Sequence, residues 1–317
     1  MSINVLRAKS YNAVITKDES MILNIAGNAS LWQVDGDELT KVGDFNTLKH
    51  SSFGAIAASK KVVALKNTSG KIAVHETKAG ELLLKHNAVM CEGYGLFVVN
   101  DSKQILSSTW DCDVFMIDIS SGKVVKEKVC NSEYHGAPIL PGRTDNEFFI
   151  YCQKRNTQRN SLSPSAILKL TVSEESFCYE PISDMLNCCT STPIKYQDSL
   201  LFSSDPSLSF SKLYLFSMAN FEYREYIDVQ QAYATTHGEK NNELQYVTHI
   251  NSSTDGKYLV LVCKWSTILI IETSGLKCLR RIEHTNISNT LFFNNNKNLW
   301  VGTWEKVFIY DFLELVG

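Results

Sequence analysis

No long apolar run occurs among the 317 residues of the chain. The longest stretches, at 258–263 and 267–271, fall well short of the roughly 18 residues that cross a bilayer as a helix. The first nine residues lack the apolar core of a secretory signal. We therefore expect a cytoplasmic protein that does not enter a membrane.

Strong charge of one sign is also missing, because 31 basic residues face 34 acidic ones and the net charge is −3. A chain this close to neutral has no field that would draw it as a whole onto nucleic acid or anionic lipid. We expect another protein as the partner, and not nucleic acid.

The cysteines form no Cys-x-x-Cys pair, and their number, nine, is odd. Scattered cysteines of this kind are typical of a reducing compartment, where a buried thiol acts as a small apolar side chain. The adjacent pair Cys188-Cys189 is interpreted as two strand residues on opposite faces, with a redox role as the alternative. No two of the seven histidines stand three to five residues apart, so we expect no metal and no cofactor.

Sequence motifs of common enzyme classes are absent as well. The chain contains no Gly-x-Gly-x-x-Gly, no phosphate-binding Gly-x-x-x-x-Gly-Lys-Ser/Thr, no Gly-x-Ser-x-Gly and no His-Glu-x-x-His. The first prediction is therefore a protein that is not an enzyme.

What the chain does contain is a repeat. A short apolar segment is followed by a turn, a second segment that closes on an acidic or hydroxyl residue, another turn and a more polar third segment. β-Branched and aromatic residues dominate these segments, which marks them as strands. Seven copies over 317 residues give a period of about 45, the length of a four-stranded propeller blade. The seven middle segments are 30–35, 71–76, 113–118, 166–171, 212–217, 267–272 and 306–311.

The two ends of the chain complete each other in this pattern. The last repeat, at about 287–312, has three segments and lacks a fourth, whereas residues 3–9 supply a spare strand before the first repeat begins. Pairing them would leave no sheet edge exposed. We predict an all-β fold, a seven-bladed β-propeller of four-stranded blades that forms a single domain over 1–317.

The segments 114–119 and 307–312 resemble the end of strand c in WD40 repeats, and Trp110-Asp111 stands where such repeats carry the aspartate of the b–c turn. The chain departs from that family in two ways. The Gly-His dipeptide that opens a WD40 repeat is absent, and the one tryptophan in a strand c, Trp32, is not followed by aspartate. The chain is thus similar to a divergent WD40-like propeller, and the Asp–His–Ser–Trp network of the family is not expected.

Loop lengths point to one rim of the predicted propeller, the rim formed by the b–c and d–a connections. The long connections 153–164, 204–211 and 229–243 all belong to it. Long loops on a rigid scaffold are where binding residues concentrate, although they are also tolerated as insertions. The candidate contact residues in them are Lys154, Arg155, Arg159 and His237.

Three tryptophans recur at nearly one position of the repeat, just before the b–c turn. Tryptophan is enriched among the residues that dominate protein interfaces, and it is equally common in packing between blades. The three are Trp110, Trp265 and Trp304.

We therefore predict a non-enzymatic protein-interaction module that presents the b–c/d–a rim, either as a scaffold subunit of a larger complex or as an inhibitor of the immunity type. The alternative is a propeller enzyme, a hydrolase, lyase or cyclase, with its site at the central opening near His50 and His135. A structural spacer without a site is a third possibility.

Overall fold

Seven antiparallel sheets follow one another along the chain in the computed structural model. The structure describes residues 3–50, 54–87, 95–130, 132–135, 138–154, 165–183, 193–203, 212–238, 244 and 246–317. The chain divides into an N-terminal unit, residues 11–157 and 163–186, and a C-terminal unit, residues 1–10, 158–162 and 187–317. That these form a single domain stays a prediction.

The N-terminal unit holds four sheets, which we number blades 1 to 4, with strands a to d in chain order. Blade 4 differs from the others because two short segments, β14 and β15, both pair with its strand b. The strands are β2 Asn12–Ile15, β3 Met21–Ala26, β4 Asn28–Asp35, β5 Glu38–Phe45, β6 Ala55–Ala58, β7 Val62–Lys66, β8 Lys71–Glu76, β9 Leu82–Asn87, β10 Leu96–Val99, β11 Gln104–Ser108, β12 Asp113–Asp118, β13 Val124–Lys128, β14 Tyr134–His135, β15 Ile139–Pro141, β16 Glu147–Lys154, β17 Ser165–Val172 and β18 Phe177–Ser183.

The C-terminal unit holds blades 5 to 7 and two short helices. Its elements are β1 Ile3–Leu6, β19 Ile194–Tyr196, β20 Ser199–Ser203, β21 Lys212–Ser217, β22 Tyr223–Asp228, α1 Val229–His237, β23 Val247–Ser252, β24 Tyr258–Cys263, β25 Thr267–Glu272, β26 Lys277–Glu283, β27 Ile287–Phe293, β28 Asn298–Thr303, β29 Val307–Asp311 and α2 Phe312–Val316. Seven consecutive blades of this kind are a seven-bladed β-propeller, so the predicted fold class is confirmed.

Blade 7 is completed by the N-terminal strand, as the sequence predicts. Strand β1 pairs with β29, from Ile3 opposite Tyr310 to Leu6 opposite Val307. The strand is shorter than the predicted 3–9, because Val307 is the first residue of β29 and no partner remains beyond Leu6.

A buried polar network fixes the chain just beyond this strand. The Ser10 backbone N–H donates to the Thr303 carbonyl at 2.9 Å, and the Ser288 hydroxyl donates to the Ser10 carbonyl. The Asn289 amide donates to the Ser10 hydroxyl at 2.8 Å, and its oxygen accepts from the Trp300 indole N–H at 3.1 Å. Ser10, Ser288 and Asn289 are all buried, and Trp300 is fully buried.

The inner strands explain the apolar segments of the repeat. Strands b and c are covered on both faces: every residue of β7, β11 and β28 is buried. Most residues of the outer strand d are exposed in β9 and β13, and this strand is the more polar third segment seen in the sequence.

One backbone hydrogen bond recurs in all seven blades and ties the c–d side to the a–b turn. The donor is the backbone N–H of the residue just after strand c, or of one of the last two residues of that strand, and the acceptor is a carbonyl at the a–b turn. The seven bonds run from Val34 to Ser20, Thr77 to Lys61, Ile119 to Lys103, Val172 to Asn146, Met218 to Asp198, Thr273 to Lys257 and Phe312 to Lys297.

The connection 229–243 is not the loop that the sequence predicts, since its first part is helix α1. Asp228 caps the helix by accepting from the Gln231 N–H at 3.0 Å, and Gly238 ends it in the left-handed conformation with φ of 79°. Val229 and Ala232 are buried in the apolar core of blades 5 and 6. Two caps and an anchored apolar face are what make so short a helix stable.

Candidate functional site: a tryptophan rim on blades 6 and 7

Trp265 lies in the b–c turn of blade 6, where Lys264 and Trp265 both adopt the left-handed conformation, with φ of 49° and 56°. The Ser266 N–H closes the turn on the Cys263 carbonyl at 3.0 Å. Two consecutive positive φ angles favour Asn-Gly, and each costs other residues on the order of 1 kcal/mol. The turn nevertheless carries a lysine and a tryptophan, whose side chain is 49 % exposed.

The Trp265 ring is held in place by its neighbours. Tyr246 meets it edge-on at a centroid distance of 5.3 Å, and the Lys264 N–H donates to the Tyr246 carbonyl at 2.9 Å. An aromatic pair of this geometry contributes about 0.5–1.5 kcal/mol beyond its buried area. The exposed half of the indole is therefore presented on a fixed turn.

Trp304 occupies the corresponding turn of blade 7 and is also 49 % exposed. The backbone N–H of Trp304 donates to the Asn286 carbonyl at 3.2 Å. The backbone N–H of Ile287, the first residue of β27, donates to the Trp265 carbonyl at 2.7 Å. The connection 284–286 thus binds both turns, and these bonds place b–c and d–a connections on one side of blades 6 and 7. We call Trp265, Trp304 and residues 284–286 the tryptophan rim.

The His284 side chain packs against strand β29. Its backbone N–H donates to the Ser266 carbonyl at 2.9 Å, its ring stacks on Phe308 at 3.9 Å, and its Nε2 is hydrogen bonded to the Tyr310 hydroxyl. Burial, and then the charge of Lys306, lower the pKa of His284. The ring is therefore neutral at pH 7 and packs as an aromatic spacer.

A chain of polar contacts links helix α1 to Thr267, the first residue of strand β25 after the Trp265 turn. The Arg281 guanidinium donates to the Tyr233 hydroxyl at 3.4 Å and to Glu283 at 2.6 Å, and Glu283 in turn accepts from the Thr267 hydroxyl at 3.0 Å. These contacts with Tyr233 and Glu283 raise the pKa of Arg281. His237, at the end of α1, is exposed and stacks on Tyr233 at 4.3 Å.

The structure groups only part of the predicted contact set. Trp265, Trp304 and His237 lie in the C-terminal unit, and both tryptophans stand in the turn itself, one or two residues past the strand that they were expected to end. Trp110 is half-buried in the b–c turn of blade 3, in the N-terminal unit. Lys154 is the last residue of β16, whereas Arg155 and Arg159 lie outside the described residues. The same holds for the connection 204–211 and for Cys188 and Cys189.

Tyr246, Arg281 and His284 were missed by the sequence reasoning. Tyr246 and His284 flank the strands of blade 6 at positions where the propeller register would put them beside a b–c turn. Because no local motif marks Tyr246 and His284, only their position in the repeat could have indicated them.

The histidines considered for a catalytic site give it little support. His50 is buried, and burial lowers its pKa to about 4, so the ring is neutral at pH 7. His135 ends the two-residue strand β14, and its side chain lies outside the described part of the structure.

One cluster of metal-ligand type occurs in the part of the chain that the structure describes. The sulfur atoms of Cys112, Cys130 and Cys152 all lie within 4.8 Å of one another. Interactions with the Cys112 and Cys152 thiols lower the pKa of the Cys130 thiol. The sequence reasoning treated all three as separate apolar side chains.

Seven-bladed β-propellers are the class of protein that this fold defines. Within it, the chain is similar to the β-propeller domain of Cps50 (Swd1) from Myceliophteria thermophila, with a TM-score of 0.70 and 10 % sequence identity over 98 % of this chain and 99 % of that one. No family model and no curated protein matches the chain. The predicted resemblance to divergent WD40-like propellers is therefore confirmed as a resemblance of fold. Among the described residues, no helix is both long and apolar enough to cross a membrane.

Proposed function

We propose that the chain is a non-enzymatic protein-interaction module that binds another protein through the tryptophan rim. The observation that carries this proposal is the pair of half-exposed tryptophans whose turns are bonded to the consecutive residues Asn286 and Ile287. Exposed indoles on a rigid backbone are typical of the anchors of a protein interface, because they bury a large area at low cost in conformational entropy.

The size of the effect follows from the exposed area. A tryptophan side chain offers up to about 250 Å², so roughly 100 Å² of each indole remains for a partner to cover. At about 25 cal/mol per Å² this is worth about 2.5 kcal/mol for each ring, the range of an interface hot spot. Two such rings would dominate a contact of ordinary size.

The strained turn at Lys264-Trp265 supports the same conclusion. A turn that only had to connect two strands would favour Asn-Gly, and the chain instead accepts a strain on the order of 1 kcal/mol per residue there. Further contacts from Trp110, Lys154, Arg155, Arg159 and His237 belong to the proposal, as does a place in a larger complex. The cytoplasmic location stays a prediction.

The test is affinity purification of the tagged protein from its native source, followed by mass spectrometry. We expect one stoichiometric partner that is lost from the variant Trp265→Ala/Trp304→Ala. The matched control is Leu276→Ala/Leu313→Ala, which removes two exposed apolar side chains on the c–d side of the same two blades. With the purified partner, the tryptophan variant should bind at least a hundredfold more weakly and the control within twofold of the parent chain.

A partner retained equally by both double variants would refute the role of the rim. A chain that purifies without any protein partner would refute the interaction module itself. Scaffold and inhibitor roles are then separated by whether the partner keeps its own activity in the complex.

A further inference from the structure

The three thiols of Cys112, Cys130 and Cys152 come from separate segments of two neighbouring blades. Cys112 is in the b–c turn of blade 3, Cys130 follows strand d of that blade, and Cys152 is in strand b of blade 4. A backbone bond from the Val129 N–H to the Cys112 carbonyl, 3.0 Å long, holds the first two segments together. The grouping is therefore a product of the fold and is held by its backbone.

The spacing of the sulfur atoms suits a metal ion. Zinc–sulfur bonds of about 2.3 Å require sulfur–sulfur distances of about 3.8 Å in a tetrahedral site and about 4.0 Å in a trigonal one. The three sulfur atoms lie within 4.8 Å of one another, so small side-chain rotations close the site.

The surroundings favour a divalent ion with one open position. Cys112 and Cys152 are buried in an apolar cluster that includes Val129 and Phe148, whereas Cys130 is half-buried and reached from solvent. Three thiolates with a divalent ion leave one negative charge, and three with a monovalent ion would leave two, which an apolar shell resists more strongly.

The backbone conformation of Cys112 is one that cysteine rarely adopts. Its φ is 61°, in the left-handed region that favours glycine or asparagine, and its side chain is fully buried. A glycine would fit this turn with less strain and would leave the sulfur cluster incomplete.

We propose that Cys112, Cys130 and Cys152 bind one thiophilic divalent cation of the Zn²⁺ class as three thiolates, with solvent as the fourth ligand on the Cys130 side. This site departs from the expectation of no metal drawn from the sequence, and it is independent of the tryptophan rim. Its effect is to join blades 3 and 4 when the metal is bound.

The test uses the reduced full-length chain, freed of metal and titrated with Cd²⁺, whose thiolate complexes absorb in the ultraviolet, in competition with a chelator. The main variant is Cys130→Ser, chosen because a half-buried position tolerates a hydroxyl. Cys178→Ser, an exposed cysteine on β18, is the matched control. Circular dichroism and thermal unfolding of the metal-free proteins verify that both variants fold.

We expect one equivalent of Cd²⁺ to outcompete the chelator in the parent chain and in Cys178→Ser, and at least a tenfold weaker affinity in Cys130→Ser. Zn²⁺ should raise the melting temperature of the parent chain and leave that of Cys130→Ser unchanged. Equal Cd²⁺ binding by parent and Cys130→Ser would overturn the proposal. The proposal would also be overturned if the reduced parent chain left all metal on the chelator, whether or not oxidation then produced a disulfide among the three cysteines.

Discussion

Replacing Asn289 by alanine tests whether the polar network beside the N-terminal strand holds blade 7 together. The variant loses the bond from the Asn289 amide to the Ser10 hydroxyl and the bond that its oxygen accepts from the Trp300 indole. Each net hydrogen bond contributes about 1 kcal/mol, and a buried donor left without a partner costs about 1–3 kcal/mol more. Because Trp300 is fully buried, water cannot take the place of the lost acceptor, and we expect a loss of about 3–4 kcal/mol.

The measurement is urea unfolding followed by tryptophan fluorescence and circular dichroism. Asn220→Ala serves as the control, since it removes an exposed asparagine hydrogen bond and should cost less than about 0.5 kcal/mol. The double variant Asn289→Ala/Trp300→Phe has no indole N–H to leave unpaired, so it should cost less than the sum of the two single changes by about 1 kcal/mol or more. Strict additivity, or a loss below about 1 kcal/mol for Asn289→Ala, would refute the reasoning.

Three further predictions concern a turn, a close contact and a titration. Lys264→Asn should raise stability by about 1 kcal/mol in the same urea assay, because asparagine adopts the left-handed conformation at lower cost; an unchanged midpoint would contradict the strain argument. Gly302→Ala should destabilise at least as much as Asn289→Ala, since its Cβ would lie 2.6 Å from the Asn289 amide; a crystal structure of a stable variant with the network intact would contradict this. For His50 the folded pKa, about 4, is below the unfolded value of 6.5, so the unfolded state binds the proton first and stability falls between pH 6.5 and pH 4. The slope from this one residue reaches at most about 1.4 kcal/mol per pH unit, and His50→Gln should flatten the pH profile measured by thermal unfolding.

The fold could be predicted from the sequence because its information is repeated seven times. Each blade contributes an apolar strand c that ends at a polar turn, and an error in one copy does not disturb the period of the others. The missing fourth segment near the C-terminus predicted the pairing of β1 with β29 for the same reason. The end of β1 at Leu6 could not be predicted, because it depends on where its partner strand begins.

Only the site residues that occupy a recurring position of the repeat could be predicted from the sequence. Trp265 and Trp304 were found by their common position, but the left-handed turn at Lys264-Trp265 runs against local preference and is imposed by the strands on either side. The sequence predicts a loop where helix α1 lies, although Asp228 and Gly238 flank it, because a nine-residue helix has too short an apolar pattern to be recognised. The cysteine cluster carries no local signal at all, since its members are 18 and 22 residues apart in sequence.

The pairing of β1 with β29 also determines the order of events on the ribosome. Residues 3–6 are synthesised about 300 residues before the strand that receives them, residues 307–311. Blades 1 to 6 can form while synthesis continues. Residues 3–6, in contrast, have no partner strand in blade 7 until about 300 more residues have been added. Until then each nascent chain has an unpaired strand that a neighbouring chain on the same messenger could capture, so the closure of blade 7 is a step exposed to exchange between molecules.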